Sequence, residues 1–230
     1  MLHRSLALAL AAALTGCIGS REPELQMGPD AEITPDGLHR VDRFPFGTLY
    51  MRPDYAFGSY KLFTMGKTLV SVRRGARVLS DEEVDELTRR FDVVVRNALE
   101  ASGQTEVKKP APCVARVNLA LVEIDFLDPK ALSPQAASTA MQSFGSMTLV
   151  IEIHDSYTGE PLLRYGRRRR VGGGPGTGVD PAELSATTST LEEFARGIDL
   201  DFQNVLPRIQ NASPVSCEER AGLPPPVGAR

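Results

Sequence analysis

The chain has 230 residues, of which 42% are hydrophobic, and its 26 basic and 29 acidic side chains leave a formal net charge of −3. A sequence pI near 5.7 argues against nucleic-acid binding driven by bulk positive charge. Aromatic residues make up only 6% of the chain and tryptophan is absent, which weakens any case for a sugar-stacking platform.

Residues 1–16 have the pattern of a bacterial lipoprotein signal peptide. A short basic start precedes an unbroken apolar run, Leu6 to Leu14, and small residues come directly before Cys17. The run is shorter than the roughly 20 apolar residues of a membrane-spanning helix, and a core helix would be amphipathic. An ordinary secretory signal would not require the cysteine. We therefore expect diacylglyceryl transfer to the Cys17 sulfur and removal of the preceding peptide.

The residues after the lipidation site predict a tether and then one domain. By similarity to enterobacterial lipoproteins, Ile18 in place of Asp favours sorting to the outer membrane. Residues 17–43 are polar and lack apolar periodicity, which predicts a flexible tether. A single domain is expected over residues 44–217, followed by a disordered Pro-rich tail over 218–230.

The three cysteines predict one disulfide. Lipidation would consume Cys17 and leave Cys113 and Cys217 as a pair in an oxidising compartment. The alternative is a redox or metal pair, but neither residue has a CxxC partner or a nearby His. We expect a structural disulfide, no metal and no cofactor.

The first half of the domain reads as strand, helix, strand. Aromatic and β-branched residues over Tyr60–Val72 predict one or two strands. Ser80 and Glu83 form a capping box, and the helix behind it should end near Ser102-Gly103. Residues Cys113–Asp125 predict a strand that is central in the sheet, since its second half is apolar on both faces.

The second half adds a hairpin and a helix. A long connection, Phe126 to Gly145, is expected to hold a short helix at Gln135–Gln142. Alternation over Ser146–His154, a turn at Asp155–Gly159 and a return over Leu162–Val171 predict a hairpin.

The last helix is expected to be capped by Thr190, with Glu193 completing the capping box, and to end at Pro207. The order of elements predicts an α+β fold, with two amphipathic helices packed on one face of a mostly antiparallel sheet.

The turn Asp155 to Glu160, set between an alternating strand and a basic one, resembles the bacterial lipoprotein family Domain of Unknown Function 3313. A lipobox, a capped helix like that of Leu79–Leu99 and a hairpin with a D-x-x-T-G turn carry this resemblance over about residues 44–210. The resemblance implies a periplasm-facing lipoprotein without an established activity.

The run Arg167, Arg168, Arg169 and Arg170 is the sharpest charge feature. One interpretation is an anion site for lipid head groups, lipopolysaccharide phosphate or an acidic partner. The other, which we favour, is a solvated edge strand that its charges protect against pairing. Alternate strand residues point to opposite faces, so only two of the four arginines can share a face.

Nothing in the chain singles out catalytic residues. His39 and His154 are too few for a multi-His metal site. His154, Asp155 and Ser156 are strand neighbours whose side chains diverge. Asp125 with Asp128, or Glu152 with Glu160, could pair as acid and base, but no spacing distinguishes them. The Gly172–Gly178 loop lacks the ending of a phosphate-binding loop.

These observations predict a non-catalytic, lipid-anchored outer-membrane lipoprotein that faces the periplasm and acts through protein or envelope contacts. The alternative is a binding module for an anionic envelope ligand on the basic hairpin, and an envelope hydrolase is third. The expected partners are the membrane, through the lipid anchor, and an envelope protein, but no nucleic acid.

Overall fold

The computed structural model describes residues 23–44, 47–126, 143–172, 181–204, 209 and 214–222. Within these ranges the chain forms a single sheet with three α-helices and a 3₁₀ turn at Phe57–Ser59. The strands are β1 (Glu24–Leu25), β2 (His39–Asp42), β3 (Thr48–Met51), β4 (Leu62–Val72), β5 (Thr105–Glu106), β6 (Val114–Phe126), β7 (Ser143–Asp155) and β8 (Pro161–Gly172). The helices are α1 (Asp81–Ala101), α2 (Pro181–Asn204) and α3 (Cys217–Arg220).

The eight described strands follow the spatial order β1-β2-β3-β8-β7-β6-β4-β5. All neighbours are antiparallel except β4, which runs parallel to both β5 and β6. The chain leaves β4, passes through α1 and returns as β6, and such a crossover is what a parallel pair requires. The predicted α+β class with a mostly antiparallel sheet is confirmed, and β6 lies inside the sheet as expected.

The apolar alternation of the central strands builds the core. On β7, Met147, Leu149, Ile151 and Ile153 are all at most 4% exposed. On α1, the apolar stripe buries Leu87, Phe91, Val95 and Leu99. The Ser80–Glu83 capping box is present, and the helix ends at Ala101 with Ser102 as its C-cap, near the predicted Ser102-Gly103.

Contacts between rings and between polar side chains show where the two long helices meet the sheet. Phe194 of α2 stacks on Tyr165 of β8, with ring centroids 5.6 Å apart, and Phe91 of α1 lies 6.0 Å from Phe194. Thr68 of β4 donates a hydrogen bond to Asp92 of α1. Tyr165 and Thr68 belong to one row of paired residues that runs through Ile151 and Leu119.

Part of the segment predicted to be a flexible tether is folded into the sheet. Residues Glu24–Leu25 and His39–Asp42, placed in the tether from sequence, are strands that extend the sheet beyond β3. Leu25, Leu38 and Val41 are each at most 4% exposed, so this segment contributes to the core. Strands of two and four residues are too short to display a periodicity, which is why the pattern missed them. Residues 17–22 lie outside the described range.

The capping of the last helix was predicted wrongly. α2 begins at Pro181, so Thr190 lies within the helix, where it is 7% exposed, and does not cap it. Proline is favoured at the first position of a helix, because its missing N–H would have no intrahelical partner there. The predicted end at Pro207, the helix at Gln135–Gln142 and all of the Gly172–Gly178 loop beyond its first residue fall outside the described residues.

The disulfide is present and orders the first part of the predicted tail. Cys113 and Cys217 are joined with their Cα atoms 5.0 Å apart. Directly after Cys217, α3 carries Arg220, whose side chain is 8% exposed and forms ion pairs with Asp54 and Glu160. The tail is therefore ordered at least to residue 222, and residues 223–230 lie outside the described range. Glu218 lies near both sulfurs, but sulfurs in a disulfide are not thiolate ligands.

Candidate functional site

Polar and charged residues lie on one face of the sheet, because alternate residues of each strand point away from the core. We call this face the Val150 face, and its central row pairs Leu69, Ala120, Val150, Gly166 and Thr48 across β4, β6, β7, β8 and β3. The contacts of α1 and α2 with Thr68 and Tyr165 lie on the opposite face, because those two residues alternate with Leu69 and Gly166 along their strands.

An ion-pair network borders this row on one side. Arg164 donates to Glu152 at 2.5 Å and to Asp36 at 2.7 Å. The His154 Nε2 lies 3.5 Å from the same Glu152 carboxylate. The hydrogen bond from His154, followed by that from Arg164, holds the pKa of Glu152 below its usual range. The network is half-buried and neutralises most of its own charge.

A second cluster of hydrogen-bonded polar side chains lies on the same face, at the outer strands β2 and β3. Tyr50 donates to Glu32 at 2.5 Å, and Arg40 donates to the other oxygen of this carboxylate at 2.6 Å. The Tyr50 hydrogen bond and then the Arg40 hydrogen bond lower the pKa of Glu32. Because the carboxylate accepts both donors at once, these side chains form a connected polar rim.

The arginine run is divided between the two faces. In the register of the hairpin, Arg167 pairs with Leu149 and Arg169 with Met147, so both point to the core face, and a Cβ on Gly197 of α2 would lie 3.4 Å from the Arg167 Nη1. Arg168 and Arg170 are exposed on the Val150 face. Arg168 donates to Ser146 at 3.2 Å and lies 3.8 Å from Glu123.

The expectation of an edge strand is wrong for the first half of β8. Residues Leu163–Gly166 lie between β7 and β3, inside the sheet. Within the described residues, β3 stops at Thr48 opposite Gly166, and the arginines beyond it pair with β7 alone. A four-residue strand such as β3 gives too little pattern to show from sequence that β8 has a second neighbour.

The predicted acid–base candidates are held in separate structural contacts. Asp155 is fully buried and accepts hydrogen bonds from Tyr60, Tyr157 and Thr158. Glu160 binds Arg52 and Arg220, whereas Glu152 belongs to the Arg164 network. Asp125 forms an ion pair with Arg73 at 2.8 Å, and Asp128 lies outside the described residues.

His39 and Ser156 likewise have structural roles. The His39 ring is hydrogen-bonded to the Gln26 carbonyl, which joins β2 to the segment after β1. The Ser156 hydroxyl donates to the Ala111 carbonyl. The described residues thus do not bring the predicted pairs together as a catalytic site.

The model of the family described as "Protein of unknown function (DUF3313)" matches residues 35–198. The chain belongs to the DUF3313 family. This confirms the family that the turn, the capped helix and the lipobox indicated. No curated protein matches the chain.

Several solved structures are similar to this DUF3313 chain at low sequence identity. A PelC dodecamer from Paraburkholderia phytofirmans is 11% identical over 64% of this chain and 95% of that chain, with a TM-score of 0.37. A minor lipoprotein from Acinetobacter baumannii is 15% identical over 67% of this chain and 98% of that chain, with a TM-score of 0.32. Protein XCC0632 from Xanthomonas campestris is 12% identical over 66% and 90%, with a TM-score of 0.37.

Sequence reasoning missed Gly166, although a glycine inside a strand is a recognisable signal of close backbone approach. A Cβ placed on Gly166 would meet only the Val150 Cγ2, at 4.0 Å. By contrast, Gly145 is required, because a Cβ there would lie 2.2 Å from the Asp125 carbonyl oxygen and its φ is +148°. No contact among the described residues requires a glycine at 166, and the glycine leaves a flat area at the centre of the Val150 face.

A second concave feature lies between α1 and α2. This groove has a volume of about 640 Å³ and mixes arginines with small apolar side chains. Its described lining consists of Arg89, Arg90, Val93, Val94, Asn97, Ala98, Ala101, Thr188, Glu192, Ala195 and Arg196. Glu86 binds both Arg89 and Arg90, so much of the positive charge is already balanced. No described helix is both long enough and apolar enough to span a membrane.

The His154–Glu152 contact predicts a measurable titration. The hydrogen bond to Glu152 raises the pKa of His154 above its ordinary value, so this contact stabilises the fold below pH 6.5 and is lost as the pH rises through the raised pKa. In an NMR titration, Glu152→Gln should lower the His154 pKa. Glu32→Gln, which removes a carboxylate elsewhere on the same face, should leave it unchanged. An equal shift in both variants would contradict the assignment.

Proposed function

We propose that this DUF3313 protein is a non-catalytic lipoprotein, anchored through Cys17 in the outer membrane, that faces the periplasm and binds another envelope protein through its Val150 face. Residues 1–16 would be its signal peptide, and the single domain would be held by a lipidated segment shorter than the tether predicted from sequence. Two features of the described residues support this proposal.

The first is the placement of the long helices. Thr68, Leu119, Ile151 and Tyr165 form one row of paired residues, and paired residues in a sheet project to the same side. α1 contacts this row at Thr68 and α2 contacts it at Tyr165. We therefore infer that both helices cover the same face, which leaves the Val150 face available to a partner.

The second is the composition of the Val150 face, which is the observation that carries the proposal. Its centre consists of Ala120, Val150 and Gly166, which are small, uncharged and paired side by side. The surrounding residues are charged and already bonded to one another, as in the Arg164 and Glu32 clusters. An apolar centre with a polar rim is the usual anatomy of a protein–protein interface.

Site-specific photocrosslinking in cells tests this function. The full-length chain with a photoreactive residue at Val150 should give a covalent adduct with a distinct envelope protein. Adding Gly166→Val, whose Cβ would meet no atom closer than the Val150 Cγ2 at 4.0 Å, fills the flat area. It should reduce the adduct about tenfold, since blocking an interface centre costs about 1.4 kcal/mol or more. An unchanged thermal unfolding midpoint would show that the variant is folded.

The control position for crosslinking is Glu82, exposed on α1 and away from the Val150 face. Equal adduct yields at Glu82 and Val150, or no effect of Gly166→Val, would contradict the proposed interface. The anchoring has its own test, because Cys17→Ser should release the chain from the membrane fraction. A Cys17→Ser variant that still fractionated with the outer membrane would contradict lipidation.

The second candidate function is binding of an anionic envelope ligand, which is favoured by the exposure of Arg168 and Arg170 on one face of β8. Arg167 and Arg169 point to the other face, so a ligand would meet two guanidinium groups. In a vesicle-binding assay with an anionic phospholipid, Arg168→Gln with Arg170→Gln should abolish binding if this function holds. Equal binding by the double variant and the parent chain would reject it.

A further inference from the structure

The free edge of β4 offers unpaired peptide groups. β5 pairs only with Leu62 and Phe63, the first two residues of β4. From Thr64 to Val72, no described segment pairs with the side of β4 that faces away from β6. A long unpaired edge is a template for another strand, and proteins usually blunt it with charges, bulges or short length.

The backbone contacts show which residues direct their peptide groups outward. The N–H of Arg73 donates to the Ile124 carbonyl and that of Lys67 to the Asn118 side chain, so both point toward β6. Successive strand residues point their peptide groups to alternate sides, and Thr68, Val70 and Val72 therefore point away from β6. Their N–H and C=O groups have no hydrogen-bond partner among the described residues.

Protective devices act on the first half of this edge, and a second register shift lies between Val70 and Val72, where β6 and not β4 contributes the additional residue. The register with β6 shifts between Met65 and Thr68, and the Asn118 side chain lies directly against Gly66, where a Cβ would be 2.0 Å from its Oδ1. Lys67 is exposed directly beside it. Beyond Lys67, residues Thr68–Val72 carry no charge. The uncharged stretch is the part of the edge that is open to pairing.

Leu69 stands at the middle of this stretch and is 60% exposed. Its neighbours Thr68 and Val70 face the core side, so Leu69 is the apolar residue that the edge presents on the Val150 face. A large exposed hydrophobic on an unpaired strand is an aggregation hazard unless it is covered.

We propose that the Thr68–Val72 edge pairs antiparallel with the same segment of a second copy of this chain, around a two-fold axis at Leu69. In this register Thr68 and Val70 of the two copies exchange backbone hydrogen bonds, and Leu69 meets Leu69 of the other copy. Such self-complementary contacts are what a two-fold interface requires.

The charges of Lys67 and Arg73 favour this register over the one with its axis at Val70. With the axis at Leu69, Lys67 faces the uncharged Ser71 of the other copy, and Arg73 faces Met65. Moving the axis by one residue to Val70 would place Lys67 opposite Arg73, and like charges directly opposite are destabilising. This arrangement favours a second copy as the occupant of the edge.

Cysteine crosslinking of the full-length, membrane-anchored chain tests the proposal. Residues that face each other without exchanging hydrogen bonds have Cα atoms about 4.5 Å apart, which a disulfide can bridge. Under mild oxidation, Leu69→Cys should give a covalent dimer. Coexpressed Lys67→Cys and Ser71→Cys chains should give a mixed dimer, whereas Lys67→Cys alone should not. Val78→Cys, at a residue 85% exposed outside the strands, is the control for random collision.

A charged residue in place of Leu69, at the proposed two-fold axis, should weaken the dimer. In sedimentation of the full-length chain in detergent, Leu69→Lys should weaken dimerisation about tenfold or more, since like charges would then oppose each other, while Val78→Lys should not. A monomer at all concentrations, or Leu69→Cys dimers no more abundant than those of Val78→Cys, would overturn the proposal. Crosslinking of Leu69→Cys to a different protein would overturn it too, because the occupant would not be a second copy.

Discussion

Replacing both Cys113 and Cys217 with Ser is expected to lower the free energy of unfolding by about 4 kcal/mol. The disulfide joins residues 104 positions apart, and a crosslink over about 100 residues removes roughly that much chain entropy from the unfolded state. It also ties α3 to the start of β6, so its loss should free Arg220 from Asp54 and Glu160. Urea unfolding followed by circular dichroism measures the change.

Reduction of the parent chain is the matched control for this variant. A reductant should shift the unfolding midpoint of the parent chain to lower urea and leave that of the double Ser variant unchanged. The N–H of Cys217, which donates to Ser59, is kept in the variant, and the reduced parent separates loss of the crosslink from the effect of the two Ser side chains. Equal midpoints for the oxidised parent and the double variant would show that the disulfide contributes no stability.

Replacing Asp155 with Ala is expected to destabilise the fold by about 3 kcal/mol or more. The Asp155 carboxylate is fully buried and accepts from the Tyr60 hydroxyl at 2.6 Å and from the N–H groups of Tyr157 and Thr158 at 2.8 and 2.9 Å. Hydrogen bonds to a charged group contribute about 1.5–3 kcal/mol each, and a buried donor left without an acceptor adds its own cost. Thermal or urea unfolding measures the loss.

Two conservative variants separate the contribution of the Tyr60 hydrogen bond to stability from that of the two turn amides. Asp155→Asn keeps an acceptor for the two turn amides, and Tyr60→Phe removes only the hydroxyl, so each should cost less than Asp155→Ala. Burial, followed by the bond to Asp155, raises the pKa of Tyr60, which keeps the hydroxyl a donor at neutral pH. If Tyr60→Phe were as damaging as Asp155→Ala, the turn amides would not be the main contribution.

The D-x-x-T-G turn that indicated the family is therefore structural. Asp155 joins the hairpin to Tyr60, just before β4, and Gly159 adopts a positive φ of 79° that closes the turn. The Asp155 and Ser156 side chains of this turn are occupied in hydrogen bonds to Tyr60 and Ala111, which hold the hairpin to the rest of the domain.

The long, strongly patterned elements could be predicted from the sequence. The capping box of α1, the alternation of β7 and the position of β6 inside the sheet follow from local periodicity and capping chemistry. The short strands β1, β2, β3 and β5 could not be predicted, since two to four residues hold too few alternations. The start of α2 at Pro181 was missed because the polar Thr190-to-Glu193 capping pattern lies inside the helix.

By itself the sequence determined the family, the class of fold and the rule that only alternate arginines of Arg167–Arg170 share a face, because each depends on local patterns. It also determined the cysteine pair, because two cysteines remain once Cys17 is set aside. Only the tertiary structure decided which arginines face the core and that Gly166 lies beside Val150. It also decided that, among the described residues, no strand pairs with the outer side of β4 from Thr64 onward. These features depend on strand order and register, which join residues far apart in the chain and leave no periodic signal in any one segment.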